Sequence, residues 1–219
     1  MKGVVIIPEN KLALADVEEP KLKQNSDAIV RITAAAICGS DVHAKHGLLP
    51  GVGPGTLLGH EFVGVIEEVG SDVTRFKPGD RVNAAPATWC GKCAACRRGD
   101  YQYCSNGGVW GGGEIFGKGL PGAQTSHIRV TYADNCLASI PDNIADEQAV
   151  FVGDVFSTGF HAAYEGSIKT GDIVVVYGCG PIGLGALVSA WQFGPKEVFC
   201  VDMLQNRLVE QLHHRFGLV

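Results

Sequence analysis

The chain has 219 residues, 46% of them hydrophobic and 19% charged, with a formal net charge of -5. That balance supports one large or two modest domains with real cores and excludes a disordered chain. Thirty glycines and ten prolines argue against an all-helical bundle, and without a block of Lys or Arg to follow a phosphate backbone no nucleic-acid partner is expected.

The first residues carry one lysine and a short apolar stretch broken by Pro8, too brief for a secretory signal. No later stretch reaches the roughly 18 apolar residues of a membrane span, so no membrane partner and a cytoplasmic location are expected. Strands are predicted at GVVII (3–7), AIVRITAAAI (28–37), EFVGVIEEV (61–69) and DRVNAA (80–85), with a turn at KPGD (77–80). To about residue 150 the pattern describes a β-rich, twisted and partly closed structure. Beyond about residue 155 it changes to helix (158–164), turn (KTGD, 169–172), strand (IVVVY, 173–177), helix (181–193), strand (EVFCVD, 197–202) and a helical stretch (204–217). This alternation predicts a βαβ unit with a parallel sheet. IVVVY is apolar at every position, as a central strand covered on both faces would be. Two parallel strands cannot bury the faces of an open sheet, so the sheet is expected to be incomplete, its remaining strands on another chain or cut away in a fragment.

Eight cysteines without a secretory signal are expected to stay reduced, which favours metal binding or burial over disulfides. Four of them form the string C-G-K-C-A-A-C-R-R-G-D-Y-Q-Y-C, as Cys90, Cys93, Cys96 and Cys104. Short spacings aim successive thiolates at one point, and the longer return closes a tetrahedron around zinc. Four thiolates leave no position for water, so the site is structural. An iron–sulfur cluster is the rival, since several ferredoxin spacings begin in the same way, but no proline follows the last cysteine and no second cysteine group is present.

After IVVVY comes G-C-G-P-I-G, in which Gly178, Gly180 and Gly183 fit G-x-G-x-x-G, with Pro181 and Ile182 opening the helix. The glycines allow the tight turn, the approach of a pyrophosphate and close helix–strand packing. Asp202 ends the next strand, where a carboxylate would bond the adenosine ribose hydroxyls and repel a 2′-phosphate, favouring NAD over NADP. Arg207 follows five residues later and weakens that preference slightly.

Cys38 opens C-G-S-D-V-H, His60 and Glu61 lie in L-G-H-E-F-V-G, and Asp154 lies in V-G-D-V-F-S-T-G-F-H. Together with the four-cysteine string these motifs resemble the zinc-dependent medium-chain alcohol dehydrogenase family over essentially the whole chain. The resemblance implies an α/β fold with a β-rich N-terminal part: a GroES-like, partly open β-barrel over 1–153, carrying the structural zinc loop 90–104, then an incomplete Rossmann-type sheet over 154–219. It implies two zinc ions per chain, the catalytic one held by Cys38, His60 and Asp154, with aspartate in third place as in the secondary-alcohol branch. Glu61 would stand behind these ligands or act as an occasional one, and Asp41 would orient His60. Ser40 and His43 map to the family's proton relay, Thr158 to a threonine near the nicotinamide, and Arg207 to a basic residue at the adenosine. The expected substrates are small alcohols, ketones or aldehydes, with polyols or threonine as alternatives, and Trp89, Trp110 and Phe116 either line the substrate pocket or fill the core. Family chains continue well past residue 219 and form homo-oligomers through that region, so a non-catalytic, zinc-stabilised module is the rival reading for a chain of this length.

Overall fold

The computed structural model describes residues 1–208, which form two compact units, Met1–Gly153 and a second beginning at Asp154. In the first unit the chain runs through β1 (Lys2–Ile7), β2 (Lys11–Asp16), β3 (Ala28–Ala35), α1 (Gly39–Lys45), β4 (Phe62–Val69), β5 (Arg81–Ala84), α2 (Ala94–Arg97), β6 (His127–Val130), α3 (Ala133–Cys136), β7 (Leu137–Ser139) and α4 (Asp146–Ala149). All four strand runs read from the sequence are present. The KPGD turn closes with the Asp80 N–H donating to the Lys77 carbonyl and Gly79 at φ +94°, a conformation that favours glycine.

β1 and β2 form an antiparallel hairpin, and the main sheet, antiparallel throughout, has the order β6-β3-β4-β5-β7. Alternation along the strands sorts its side chains into two buried layers. Phe62, Ile66, Val82, Ile128 and Val130 gather around Trp110, whose ring meets Phe62 edge-on at 5.9 Å and whose Nε1–H donates to the Ala85 carbonyl at 2.9 Å. One residue out of phase, Val63 packs with Ile140, Ala149 and Val150. The second layer therefore seats α4 and the turn after it on the sheet.

The neighbouring strands β3, β4 and β5 bring functional segments to the same end of the sheet. β3 ends just before Cys38, β4 starts just after His60 and Glu61, and β5, antiparallel to β4, ends where Asn83 pairs with Val63.

The second unit contains α5 (Val155–Glu165), β8 (Ile173–Tyr177), α6 (Pro181–Ala190) and β9 (Glu197–Val201). β8 and β9 run parallel, in register from Ile173↔Glu197 to Tyr177↔Val201. The helices cross at glycines: a Cβ on Gly159 would lie 2.5 Å from the Ala186 nitrogen. A 3₁₀ turn over Trp191–Phe193 completes the predicted 181–193 helix, and Gly194 at φ +74° ends it. Of the helix predicted over 204–217, residues 205–208 are helical, Leu204 is not, and 209–217 lie outside the described residues.

IVVVY departs from its expected burial. Ile173, Val175 and Tyr177 are 60%, 45% and 79% exposed, while Val174 and Val176 are half-buried. Helix α6 lies over the Val176 face, where a Cβ on its Gly183 would sit 3.7 Å from Val176 Cγ1. The period of two sends the alternate residues to a face that no described element of this unit covers.

Candidate functional site

In the four-cysteine loop, Gly91 (φ +73°) and Gly99 (φ +86°) turn the chain on either side of α2, and Cys93 caps its N-terminus. The four sulfurs come within 4.8 Å of one another, with Cys93 Sγ 3.4 Å from Cys96 Sγ and 3.9 Å from Cys104 Sγ. Sulfurs about 2.3 Å from a shared tetrahedral zinc would lie about 3.8 Å apart, so the loop is shaped for the ion. Cys90 N–H donates to Cys104 Sγ (3.3 Å) and Asn106 Nδ2 to Cys90 Sγ (3.5 Å), contacts that favour thiolates. The Cys96 N–H lowers the Cys93 thiol to about 6, while burial and the neighbouring Cys93 and Cys104 sulfurs push Cys96 up to about 12. Four thiolates in so small a space repel one another, and a divalent cation relieves that repulsion. All eight cysteines are free of disulfides.

The second group forms where β3, α1 and β4 meet. Cys38 caps α1, and the donor atoms of Cys38, His60 and Glu61 lie within 4.8 Å of one another, with His60 and Glu61 buried. The His60 imidazole beside Cys38 holds its thiol below the ordinary value; burial opposes this and Ser40 adds to it. Thiolate, imidazole and carboxylate form a donor set suited to zinc and poor for magnesium or calcium. Ser40 Oγ lies 3.4 Å from His60 Nε2, and His43 is exposed on α1 one turn after Ser40, on the same side of the helix.

Asp41 stands at the His60 nitrogen that faces away from Ser40, its Oδ1 3.8 Å from Nδ1, within ion-pair range but too long for a hydrogen bond. It accepts instead from Cys38 N–H (2.9 Å), Gly59 N–H (3.2 Å) and Gln124 Nε2 (3.3 Å). Buried Asp41 thus ties the Cys38 segment to the His60 segment through their backbones. Gly59 permits this with φ +98° and no side chain, since a Cβ there would sit 2.6 Å from Gln124 Cγ.

Asp154 follows Gly153 directly and opens the second unit, where its Oδ1 accepts the Thr158 hydroxyl at 2.9 Å. In the same unit Gly178 adopts φ +89°, Gly180 caps α6, Pro181 occupies its first turn and Ile182 is exposed beside it. A Cβ on Gly183 would lie 1.8 Å from the Gly178 carbonyl oxygen, so only glycine allows helix and strand this close. Asp202 accepts from Cys179 N–H (2.8 Å), Leu204 N–H (2.8 Å) and Arg207 Nη1 (3.2 Å). The Leu204 and Cys179 amides, then Arg207, hold its carboxyl below the usual carboxylate range, so it is ionised at neutral pH.

Gln124 and Asn83 did not stand out in the sequence: their partners lie 83 and 66 residues away, and no spacing signals such contacts. Trp110 is a core residue, Trp89 packs against Tyr101 with ring centroids 5.3 Å apart, and Phe116 is half-exposed. Cys136 is buried and its thiol pushed up to about 12, an inert packing group; burial, with Cys179 beside it, does the same to Cys200.

The alcohol dehydrogenase GroES-like domain matches residues 24–142. A zinc-type alcohol dehydrogenase-like protein of Bacillus subtilis (strain 168), AdhB, is 37% identical over 95% of this chain and 57% of its own length. A medium chain reductase/dehydrogenase of an Acremonium species, ucsI, is 35% identical over 95% of this chain and 72% of its own. The alcohol dehydrogenase TADH of Thermus sp. ATN1 superposes with a TM-score of 0.92 at 39% identity, over 97% of this chain and 61% of that one. The chain thus spans about three fifths of the length of the Bacillus and Thermus proteins. Among the described residues no helix is long and apolar enough to cross a membrane. Domain match, relatives and metal-ligand motifs agree: the chain belongs to the zinc-type medium-chain alcohol dehydrogenase family.

Proposed function

We propose a zinc-dependent oxidoreductase that transfers hydride between NAD(H) and a small alcohol, ketone or aldehyde, with its domains dividing at 153/154 into a GroES-like, partly open barrel and the start of a Rossmann sheet. The observation that carries it is the convergence of Cys38, His60 and Glu61 beside Ser40. Asp154 supplies the third zinc ligand, delivered by the backbone that Gly153 anchors in the first unit, and Glu61 stands behind the ligands. Thr158, bonded to the Asp154 carboxylate, fixes its rotamer. Bound there, zinc supplies Lewis acidity that polarises the substrate oxygen and eases loss of its proton.

The chain's own side chains then handle that proton. Ser40 Oγ takes it, and exposed His43, one helical turn on, passes it to water. The α6 N-terminus and the glycine turn hold the pyrophosphate, and Ile182 packs beside it. Asp202 bonds the ribose hydroxyls. Arg207 is already paired with Asp202, so the site offers little uncompensated positive charge to a 2′-phosphate and NAD is favoured. NAD supplies the hydride acceptor. Eight unbridged thiols accord with the reducing cytoplasm.

The test is alcohol-dependent NADH formation by the purified chain across primary, secondary and polyol substrates. Activity that vanishes in Asp154→Asn and Ser40→Ala is expected. Turnover that survives Asp154→Asn unchanged would refute the ligand assignment.

A further inference from the structure

Cys38 follows the end of β3 and His60 precedes the start of β4, whereas Asp154 comes at the end of a segment that belongs to no strand of the sheet. What holds that segment is the end of β5. Asn83, in register with Val63, donates through Nδ2 to the Ala149 carbonyl at the end of α4. Four residues later Gly153 presses onto the same strand: a Cβ on it would lie 2.4 Å from the Ala84 carbonyl oxygen and 2.7 Å from Asn83 Oδ1. Further back, Asp146 accepts from Thr33 Oγ1 and Arg81 Nη2, pinning the start of α4 to β3 and β5. Val150, buried against Val63 and Ile140, fills the space between.

We propose that Asn83 and Gly153 are positioning residues for the catalytic metal: β5 seats Gly153, and the seat sets where the Asp154 carboxylate is delivered. The inference rests on the zinc reading above and adds what that reading lacks, a reason for the glycine before Asp154 and for a buried asparagine beside the apolar Val63, Ala149 and Val150. An alanine at 153 must lift the backbone off the Ala84 carbonyl, a neighbour that cannot rotate away, and the displacement passes through one peptide bond to Asp154. Losing the Asn83 donor frees the Ala149 carbonyl and loosens the same segment from its other end. Neither change touches the four-cysteine loop, which serves as an internal reference.

The experiment follows zinc release from the full chain against increasing chelator, for wild type, Gly153→Ala, Asn83→Ala and the near-isosteric Asn83→Asp. A parallel series with cobalt in the catalytic position reads the ligand field by its visible spectrum. Expected are release of one zinc at about 10–100-fold lower chelator than in wild type, the usual cost of disturbing groups behind metal ligands, with the other zinc unchanged and the cobalt spectrum altered. Wild-type release and spectrum in all three variants would overturn the inference and leave the zinc reading standing. Loss of both ions together would also overturn it, by revealing a general folding role. A wild-type chain that binds zinc only at the four cysteines would overturn the reading and the inference with it.

Discussion

Replacing Asp41 by Asn changes one atom of a buried carboxylate and removes its charge. The carboxylate accepts three hydrogen bonds, from Cys38 N–H and Gln124 Nε2 on Oδ2 and from Gly59 N–H on Oδ1. Asparagine does best by keeping its oxygen toward Cys38 and Gln124, which turns its amide donor toward the Gly59 N–H. One bond to a charged acceptor, worth about 1.5–3 kcal/mol, is lost outright, and the other two fall to the roughly 0.5–1.5 kcal/mol of neutral bonds. Because neighbouring bonds do not add simply, about 3 kcal/mol is the expected destabilisation. For a unit of this size that lowers the melting temperature by about 6–12 °C. Calorimetry of the zinc-loaded chain measures it, and hydrogen exchange at the Cys38 and Gly59 amides localises it. Asp16→Asn is the control, because its exposed pair with Lys2 should contribute less than about 1 kcal/mol. An Asp41→Asn chain that melts within about 2 °C of wild type, with unchanged exchange at those amides, would refute the clasp.

Cys104→Ser should remove one zinc and loosen the loop between Cys90 and Cys104 while Cys38 and His60 keep theirs; elemental analysis and limited proteolysis check both halves. In the nucleotide turn, Gly183→Ala forces helix α6 away from the Gly178 carbonyl and should weaken NADH binding at least about tenfold, read by nicotinamide fluorescence; unchanged affinity would separate the glycine turn from the cofactor. Thr33 and Arg81 hold the Asp146 carboxyl below its ordinary value, so between the folded and unfolded pKa values the unfolded chain binds the extra proton. This contribution is complete above the unfolded value of about 3.9 and is lost as pH falls through the folded one. Asp146→Asn should therefore destabilise the first unit at pH 7 more than at pH 3, as urea midpoints at the two pH values will report.

The four cysteines and the glycine turn were legible from their spacing, and the C-G-S-D and G-H-E strings from their resemblance to the family's motifs. The structure brings the four loop sulfurs together, and likewise the donor atoms of Cys38 and His60. Asp41 was legible as a neighbour of His60 but not as the acceptor of the Cys38 and Gly59 amides. Gln124, Asn83 and the fit of Gly153 on Ala84 were hidden, since contacts across more than 60 residues depend on sheet register. Strands β2, β6 and β7 escaped notice as well: they are short or, like β2 with its exposed Leu12 and Leu14, lack a run of β-branched residues. The all-apolar IVVVY indicated a strand correctly, yet an unbroken apolar run does not reveal which of its faces is covered.

The most direct test of the two-zinc account is X-ray absorption at the zinc edge of the purified chain. Five sulfurs shared by two ions, four from the cysteine loop and one from Cys38, predict an average of about 2.5 sulfurs per zinc, with nitrogen and oxygen completing the shell. Cys38→Ser should leave the structural ion alone at about four sulfurs. A wild-type average already near four, or a Cys38→Ser chain that still averages near 2.5, would contradict the catalytic site.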